Sequence, residues 1–482
     1  MRRTTTVAIG MLLLFAAAIP VHATTITVTN TNDSGPGSLR QALANANDGD
    51  TINFAVTGTI GLTSAELLVE KNVTISGPGT ATLAVDGNFT SRVFHIGSGK
   101  TVSISDLTLT NGSVGFENGG GILNDHAILT MDSCAVQNSY AVSSHGGGIY
   151  NDGLGGSAAL TILNSTVSLN RAAYSGGGIH NEHGTVTIMN STIDGNGAAY
   201  NDFPVGGGQG GGIYNEDGTL TMTNSVVSNN YAGVPEKFPV GTGGGIWNSG
   251  TMTITDSTIT SNQVYLGGGG IHNIATGTLT ITGSTVSGNV ASGEHDGQPF
   301  GGGGGISGTV TLTNSTLSGN YAAVAGGGLE GGGVTKNSTI SGNGNGGIFT
   351  DGMEIGNTIL DGNSGANIDG TATSLGYNIS SDDGGGNLTG PGDQINTAPM
   401  IGPLQDNGGQ TLTHALLPGS PAIDAGDPNF HPPPFNDQRG CPFDRVFNGR
   451  IDIGSFETQP PRRPCLTPRP RPTPRPRPTS PQ

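Results

Sequence analysis

Two short motifs alternate along the middle of the chain, and their spacing limits the folds that it can adopt. One motif reads Gly-Gly-Gly-Ile-aromatic-Asn and occurs at 146–151, 176–181, 210–215, 243–248 and 268–273. The other, typified by NSTVSLN, ends on Asn170, Asn196, Asn230, Asn262, Asn289, Asn320 and Asn343, with weaker members at Asn138 and Asn363. Successive ends are 20–34 residues apart. A repeat of this length predicts a solenoid in which each unit forms one coil.

Hydrophobic alternation within each unit favours strands over helices. Segments such as LTILNSTVS and TVTIMNSTI alternate apolar and polar residues with a period of two. One coil of a parallel β-helix needs about 20 residues, in three short strands separated by turns, whereas propeller blades have a longer and steadier period. We therefore predict an all-β protein, a right-handed parallel β-helix of the pectin-lyase-like type, over residues 61–395.

The residue types of the two motifs fit such coils. Equivalent residues of neighbouring coils should lie roughly 4.8 Å apart, so the recurring Val, Ile or Leu forms an internal stack. The repeated Asn is expected to accept a left-handed turn, and its amide is expected to hydrogen-bond to the next Asn along the axis. The glycines permit a tight corner and a close approach of backbones.

The N-terminal part of the chain differs from the repeats. Residues 1–23 place Arg2 and Arg3 before an apolar run and have the form of a secretory signal peptide. Residues 24–60 are expected to form an N-terminal cap, with a short amphipathic helix that starts near Ser38 and covers the open end of the first coil. No later stretch is long and apolar enough to predict a membrane-spanning segment, so we expect a secreted or surface-exposed protein.

The C-terminal part departs from the repeats as well. Residues 396–458 are expected to form a different module that caps the solenoid, and residues 459–482 form a Pro/Arg-rich tail that is extended rather than folded. Cys441 and Cys465 flank the last strand-like segment and are candidates for a disulfide in an exported protein. Cys134 lies inside a strand-like run and is expected to be a small buried residue.

Charge is distributed unevenly. Between the signal peptide and the tail, 10 basic residues oppose 35 acidic ones, which gives a net charge of −25. Such a surface disfavours nucleic acid and anionic lipid, and it favours cations or neutral partners.

Strand alternation predicts an aromatic row on one face of the solenoid. In each Gly-Gly-Gly-Ile motif the Ile should face the core, so the next residue should face outward. These residues are Tyr150, His180, Tyr214, Trp247 and His272. Exposed flat rings bind the apolar faces of sugars, and rings at coil spacing also stabilise each other by stacking. The sequence leaves both interpretations open, a glycan-binding platform or a purely structural ladder.

Insertions in the repeats are expected to form loops on one side of the solenoid. The longest ones, at 198–209, 231–242 and 290–301, fall between the motif-ending Asn and the next triple glycine, and they place loops on one side of the solenoid. They carry further aromatic residues, namely Tyr200, Phe203, Phe238 and Phe300.

An acidic row follows the Asn of the Gly-rich motif. Its members are Asp125, Asp152, Glu182 and Glu216. Carboxylates repeated at coil spacing repel one another unless they are hydrated or bridged by a cation, and oxygen ligands from adjacent turns suit Ca²⁺. A calcium site and a solvated turn are the two interpretations.

Segments at both ends of the chain resemble known families. TVTNTNDSGPGSLRQALANANDGDTINF (27–54) is similar to the N-terminal region of bacterial exported β-helix proteins. PLQDNGGQTLTHALLPGSPAIDAGD (403–427), DQRG (437–440) and GRIDIGSFE (449–457) resemble the end of choice-of-anchor Q proteins. The Gly-rich repeats are similar to those of the chlamydial polymorphic outer-membrane proteins. The resemblance implies an exported right-handed β-helix that is displayed on, or released from, a bacterial surface.

Catalysis finds little support in the sequence. A polysaccharide lyase needs a Ca²⁺-binding carboxylate cluster and a basic residue that abstracts a proton. Between residues 101 and 438 the basic residues are Arg171, Lys237 and Lys336. We therefore predict a binding or adhesin-like protein that contacts polysaccharide or another cell surface. A lyase or glycoside hydrolase with an atypical site, or a purely structural spacer, are the alternatives.

Overall fold

In the central part of the chain, each repeat forms one coil of four short strand segments. In the coil that begins at residue 149 these are Ile149–Asp152, Ala159–Leu163, Thr166–Ser168 and Arg171–Ala172. Each segment pairs in parallel with its equivalent in the next coil, so that Ile149 lies opposite Ile179 and Val167 opposite Ile193. The protein is a right-handed parallel β-helix, which confirms the predicted fold class.

The structure, a computed structural model, describes residues 23–198, 208–233, 241–295 and 298–460, with the backbone alone at 294, 295 and 298–300. The predicted signal peptide up to residue 22 and the predicted tail beyond residue 460 lie outside these ranges. The loop residues Tyr200, Phe203 and Phe238 lie outside them too, and so does the side chain of Phe300. Within the described ranges, no helix has the length and apolar character needed to cross a membrane.

The strand segments stack into three parallel sheets, and the first sheet contains two segments of each coil. The segments that carry the Gly-Gly-Gly-Ile motif or its equivalent, here called the ring strands, are Leu67–Val69, Phe94–Ile96, Ile122–Asp125, Ile149–Asp152, Ile179–Glu182, Ile213–Glu216, Ile246–Asn248, Ile271–Asn273, Ile306–Gly308 and Leu329–Glu330. Their companions in this sheet are Thr25–Val28, Thr51–Phe54, Thr74–Ser76, Thr101–Ser105, Ile128–Asp132, Ala159–Leu163, Thr185–Met189, Thr219–Thr223, Thr251–Thr255, Thr278–Thr282, Val310–Thr313 and Gly333–Lys336. Two longer strands, Ile348–Gly356 and Ile368–Gly376, extend across both positions.

The other two sheets complete each coil. The second sheet is formed by Gly58–Gly61, Leu83–Asp86, Thr108–Thr110, Ala135–Gln137, Thr166–Ser168, Thr192–Asp194, Val226–Ser228, Thr258–Thr260, Thr285–Ser287, Thr316–Ser318, Thr339–Ser341, Ile359–Asp361 and Ile379–Ser380. The third sheet is formed by Ser113–Val114, Tyr140–Ala141, Arg171–Ala172, Gly197–Ala198, Tyr231–Ala232, Gln263–Val264, Val290–Ala291 and Tyr321–Ala322. Short two-stranded pairings join Gly208–Gln209 with Gly241–Thr242, Gly293–His295 with Gln298–Phe300, and Ile401–Gln405 with Thr413–Leu416.

Alternation along each strand decides which side chains enter the core. In Thr185–Met189 the second and fourth residues, Val186 and Ile188, are fully buried, and the others are exposed or half-buried. Aliphatic rows from the first and second sheets fill the interior, and alanines form small clusters under the third sheet. Burial of one such aliphatic side chain contributes about 1.5–3 kcal/mol. Stability is therefore spread over every coil.

Two rows of buried Asn side chains run along the axis. In the ring strands, Nδ2 of each Asn donates to Oδ1 of the next at 2.6–2.7 Å, in the order Asn124, Asn151, Asn181, Asn215, Asn248 and Asn273. After the second sheet, the equivalent distances are 2.8–3.0 Å in the order Asn170, Asn196, Asn230, Asn262, Asn289, Asn320, Asn343 and Asn363. The predicted amide ladder is confirmed.

The predicted left-handed backbone, however, lies beside the ladder Asn rather than on it. The residue before the ladder Asn is left-handed, as at Leu169 (φ 58°), and so is the Asn that opens the motif, as at Asn164 (φ 48°). Asn138 is itself left-handed, and Ser139 takes its predicted place in the ladder, donating its backbone N–H to Asn170 at 3.0 Å. The ladder Asn residues from Asn170 to Asn343 are therefore not left-handed, and the turn is made by the residue before each of them.

The triple glycines are required by backbone geometry. Gly243, the first of its triplet, has a φ of +67°, which L side chains rarely adopt. A Cβ on the second, Gly244, would lie 2.5 Å from carbonyl oxygens of Gln263 and Gly269. The corner therefore excludes any side chain.

The N-terminal helix forms as predicted. It spans Leu39–Asn45, and the Ser38 side chain accepts a hydrogen bond from the Gln41 backbone N–H at its start. Leu39 and Leu43 are buried within the main core cluster. The helix thus covers apolar side chains of the first coils.

The C-terminal module folds back onto the outer face of the second sheet. Gln438 Nε2 donates to Thr285 Oγ1 at 2.9 Å, and Thr316 Oγ1 donates to Gln438 Oε1 at 2.6 Å. Thr285 and Thr316 are fully buried, whereas the equivalent Thr166 is exposed and Thr258 is half-buried. The predicted C-terminal cap therefore covers the side of the last coils.

Candidate functional site

The aromatic residues of the Gly-rich motifs form one row along the ring strands. Strand pairing aligns them in the order Tyr150, His180, Tyr214, Trp247 and His272. The first four rings stack face to face, with centroids 4.8, 4.8 and 4.2 Å apart and interplanar angles of 13°, 25° and 12°. Each stacked pair contributes about 0.5–1.5 kcal/mol. The row, here called the ring ladder, ties successive coils together.

Burial of the ring ladder changes the role that the sequence suggested for it. The first four side chains expose only 2–8% of their surface. They lie on the outer side of the sheet, as predicted, because Ile149 and its equivalents belong to the core. Their ring faces are occupied by one another, so these four rings do not present the exposed faces that the sequence suggested, and glycan binding at this row stays a prediction. The structural ladder is the interpretation that fits.

Polar groups complete the edges of the ring ladder. The Tyr150 hydroxyl donates to Glu182, and burial and then this carboxylate raise the pKa of the hydroxyl. His180 Nε2 lies 3.5 Å from Glu216 Oε2, and its Nδ1 lies 3.1 Å from the Ser175 hydroxyl. The hydrogen bond from His180 holds the pKa of Glu216 below its usual range. Glu182 and Glu216 therefore both bind polar groups at the edges of the ring ladder.

The predicted acidic row is aligned by the strand register. Its members follow one another in the order Asp125, Asp152, Glu182 and Glu216, and all are half-buried. Ligand atoms of Asp125, His126 and Asp152 lie within 4.8 Å of one another. Glu182 and Glu216 are instead engaged at the ring edges. Calcium binding on this row stays a prediction. Of its four carboxylates, only Asp125 and Asp152 belong to a cluster that could hold an ion.

Acid should destabilise the protein through two histidines, His145 beside the ring ladder and His272 at its end. Burial lowers the pKa of His145 to about 4, helped by the nearby His180, and burial alone lowers the pKa of His272 to about 4. The unfolded chain binds these protons near pH 6.5. Stability should therefore fall as the pH drops from 6.5 towards 4, by on the order of 1–3 kcal/mol for each histidine.

Urea unfolding at a series of pH values measures this loss. The variant His272→Gln should flatten the pH dependence, and His431→Gln, at an exposed position, should leave it unchanged. Equal pH slopes in wild type and His272→Gln would contradict the assignment.

A second aromatic row lies on the third sheet and is more open. Its first residues point outward because the alanines after them point inward. Strand pairing places Tyr140, Tyr231 and Tyr321 in this row, three coils apart from one another. At the interstrand spacing, three coils correspond to roughly 14 Å. Tyr140 and Tyr231 are half-buried, and Tyr321 is 43% exposed.

Glycines in neighbouring coils leave room for two of these rings against the sheet. A Cβ on Gly197 would meet the ring of Tyr231 at 2.2 Å, and a Cβ on Gly344 would meet the ring of Tyr321 at 2.6 Å. The guanidinium of Arg171 lies 5.4 Å from the centroid of the Tyr231 ring.

A groove accompanies the second row. It has a volume of about 310 Å³ and is lined by Tyr231, Gln263, Tyr265 and Ser292 among others. This volume is at the lower end of the range of about 300–1,000 Å³ that is typical of ligand sites. The long insertions begin directly after third-sheet strands, at Ala198, Ala232 and Ala291. The row and its groove, here called the tyrosine face, are the candidate binding surface.

A larger cleft lies between the solenoid and the C-terminal module. Its volume is about 820 Å³, and its lining includes Lys336, Tyr377, Asp427, Phe430 and Phe435. Lys336, one of the basic residues considered for catalysis, is exposed here. The other two lie apart from it: Arg171 on the tyrosine face, and Lys237 outside the described residues. The structure does not bring these candidates together.

The C-terminal module contains a buried ionic cluster. Arg445 is fully buried and donates to the carbonyl oxygens of Asp452 and Gly454 at 2.9 and 2.7 Å. Ligand atoms of Asp424, Asp452 and Glu457 lie within 4.8 Å of one another. Burial raises the pKa of Glu457 to about 8. Both Glu457 oxygens accept backbone N–H groups, which indicates a structural role.

The described cysteines behave differently. Cys134 is buried and carries a free thiol, as predicted, and burial raises its pKa to about 11. Cys441 is disulfide-bonded. Its predicted partner, Cys465, lies outside the described residues, so this pairing stays a prediction.

Comparisons with known proteins return structural likeness alone. No protein-family profile matches the chain, and no curated protein matches it. Among solved structures, pectate lyase Pel9A is 13% identical with a TM-score of 0.39, and the match covers 90% of this chain and 96% of that one. An alginate lyase from Paenibacillus sp. str. FPU-7 is 16% identical with a TM-score of 0.33, over 54% of this chain and 94% of that one. The Dettilon tailspike protein is 11% identical with a TM-score of 0.31, over 77% and 68%.

These values carry no argument about activity, and the fold assignment rests on the strand register itself. Sequence analysis did not single out the tyrosine face. A signal was available, because Tyr140, Tyr231 and Tyr321 each directly follow the ladder position. The pattern is weak, since other units place Arg, Gly, Gln or Val there.

Proposed function

We propose that the protein is exported to a bacterial surface, or released from it, and that its tyrosine face binds a neutral polysaccharide. One observation carries the proposal: the rings of Tyr231 and Tyr321 lie over glycines of neighbouring coils, and both side chains keep part of their surface open to solvent. Flat rings of this kind stack on the apolar faces of sugars, and the hydroxyl group supplies a polar edge.

The spacing of the rings favours a polymer over a single sugar. The three tyrosines are aligned along the axis, at intervals of three coils. A ligand that contacts more than one of them must be extended and must lie parallel to the axis. An extended glycan chain has this shape, and several weak stacking contacts then act together.

Charge favours a neutral ligand. The body of the protein carries a net charge of −25, so a polyanionic glycan would be repelled over most of the surface. Arg171 is the one basic residue of the row on the third sheet, and its guanidinium lies 5.4 Å from the centroid of the Tyr231 ring. One positive charge is small beside the net negative charge of the body.

Export is supported by the sequence at both ends. Residues 1–23 have the form of a signal peptide. The segments 27–54 and 403–427 resemble bacterial exported β-helix proteins and choice-of-anchor Q proteins, which suggests that the mature chain is displayed or released outside the cell.

Replacing tyrosines on this face should weaken glycan binding. We expect Tyr231→Ala and Tyr321→Ala each to lower the affinity for a neutral polysaccharide roughly tenfold, which corresponds to about 1.4 kcal/mol. Affinity electrophoresis against a panel of neutral and acidic polysaccharides measures the change. Phe435→Ala is the matched control, because this ring is 71% exposed on the C-terminal module.

Three outcomes would overturn the proposal. Binding of no polysaccharide by the wild-type protein would remove the function itself. Binding that depends on Trp247 but not on Tyr231 would place the ligand on the ring ladder. Release of reducing ends or of unsaturated products during incubation would show catalysis rather than binding alone.

A further inference from the structure

Two histidines and two aspartates meet on the outer side of the first sheet, ahead of the ring ladder. Strand pairing places His95 opposite Leu123, which in turn lies opposite Tyr150, so His95 belongs to the same outward row. Asp125 ends the next ring strand and lies opposite Asp152. The register thus collects side chains from three consecutive coils.

Three of these side chains lie close enough to share one small ion, and His95 approaches one of the three. His95 Nε2 lies 3.7 Å from Asp125 Oδ2, and His126 Nε2 lies 3.9 Å from Asp152 Oδ1. Ligand atoms of Asp125, His126 and Asp152 lie within 4.8 Å of one another. Two atoms that bind one ion, each at about 2.0–2.2 Å, are separated by roughly 3–4 Å. Asp125, His126 and Asp152 could therefore share one ion after small side-chain movements, whereas His95 lies outside this group of three and joins it by moving further towards the ion.

The orientation of His95 is the independent observation. Its Nδ1 lies 3.0 Å from Glu66 Oε1, and Glu66 is held in turn by the buried guanidinium of Arg92. Because a carboxylate accepts hydrogen bonds, a neutral His95 keeps its proton on Nδ1 and directs the lone pair of Nε2 away from Glu66. Nε2 is buried and has no hydrogen-bond partner among the described residues.

In this tautomer His95 Nε2 and Asp125 Oδ2 face each other as two possible ligand atoms, 3.7 Å apart. A carboxylate that orients a histidine, whose other nitrogen binds metal, is the usual support of a metal ligand. We propose that His95, Asp125, His126 and Asp152 form a binding site for a divalent transition-metal ion, with Glu66 as the positioning residue for His95.

The donor set favours zinc over calcium. Ca²⁺ takes oxygen ligands, whereas two imidazole nitrogens with two carboxylates suit Zn²⁺ and its neighbours in the first transition row. This assignment differs from the four-carboxylate calcium site, because Glu182 and Glu216 are not part of it. It is also independent of glycan binding on the tyrosine face.

The members of the site should not contribute equally. His126 already hydrogen-bonds Asp125 through Nδ1 and the Leu154 carbonyl oxygen through Nε2, at 2.5 and 2.8 Å. A metal ion must compete with these contacts. We therefore expect His95→Ala to weaken binding more than His126→Ala does.

Titration of the chelator-treated, dialysed protein with Zn²⁺ tests the site. Calorimetry should show one ion per chain, and Co²⁺ should give the visible absorption of a site with nitrogen ligands. His95→Ala and Asp125→Asn should abolish this absorption. Glu66→Gln should lower the affinity about 10–100-fold, the usual effect of losing a supporting partner.

His183→Ala is the matched control. His183 occupies the same turn position as His126, two coils further along, and its Nε2 lies 3.9 Å from Asp217 Oδ2. The His183→Ala variant should bind Zn²⁺ with the affinity of the wild-type protein. Circular dichroism of each variant without metal shows whether the coils are intact.

The proposal is overturned if the wild-type protein takes up no stoichiometric Zn²⁺. It is equally overturned if folded His95→Ala and Asp125→Asn variants bind as tightly as wild type. Preference for Ca²⁺ over Zn²⁺ would rule out the nitrogen-containing donor set.

Discussion

Replacing Asn230 with alanine should lower the free energy of unfolding by about 3–5 kcal/mol. Asn230 is fully buried, accepts from the backbone N–H and Nδ2 of Asn196, and donates to Asn262 Oδ1 and to the Ile193 carbonyl oxygen. Alanine removes all four hydrogen bonds and leaves buried polar groups without partners. Each such group costs about 1–3 kcal/mol. Urea unfolding followed by circular dichroism measures the change.

Asn229→Gly is the matched control for this substitution. Asn229 is exposed and left-handed, with a φ of 54°, and equivalent positions in other coils hold Gly195 and Gly288. Glycine adopts this conformation without strain. Stability should therefore stay close to wild type, and unfolding of Asn230→Ala at the wild-type urea concentration would contradict the role of the ladder.

Replacing Arg439 with alanine should destabilise the C-terminal module. The Arg439 guanidinium is buried, pairs with Asp437 at 2.6 Å, and lies 3.7 and 3.8 Å from the ring centroids of Phe443 and Phe456. Its loss leaves the carboxylate of Asp437 buried without its charge partner. Breaking a buried pair in this way costs about 3–5 kcal/mol.

Limited proteolysis with mass spectrometry should then show faster cleavage near residue 396 or within the module. The double variant Asp437→Asn, Arg439→Gln should be cleaved more slowly than Arg439→Ala, because no buried charge remains and the amides retain hydrogen-bonding capacity. Cleavage of Arg439→Ala at the wild-type rate would show that the pair does not stabilise the module.

Much of the fold followed from the sequence. The repeat length, the alternation within units and the Gly/Asn corners together predicted the parallel β-helix, and the register confirms it. The capped helix at Leu39–Asn45 and the amide ladder were predicted as well. These features are local, or they repeat at each coil, so the structure of one unit predicts the structure of the next.

The candidate sites were harder to predict. The sequence placed Tyr150 and Trp247 on the outer side correctly, but it did not show their burial. Outward direction on a strand does not imply exposure, because rings at coil spacing cover each other and neighbouring turns cover their edges. The tyrosine face was missed, since Tyr231 and Tyr321 belong to two-residue strands that have no periodicity of their own.

Contacts between distant segments were decided by the tertiary structure. His95 lies in an irregular early coil, outside both repeated motifs, and it meets Asp125 only through strand register. Gln438 reaches Thr285 across 153 residues of sequence. The sequence by itself determined the coil, because the strand alternation and the Gly/Asn corners are local features that recur in each repeat. Only the folded chain decided which outward side chains stay exposed, because exposure depends on what distant segments pack against them.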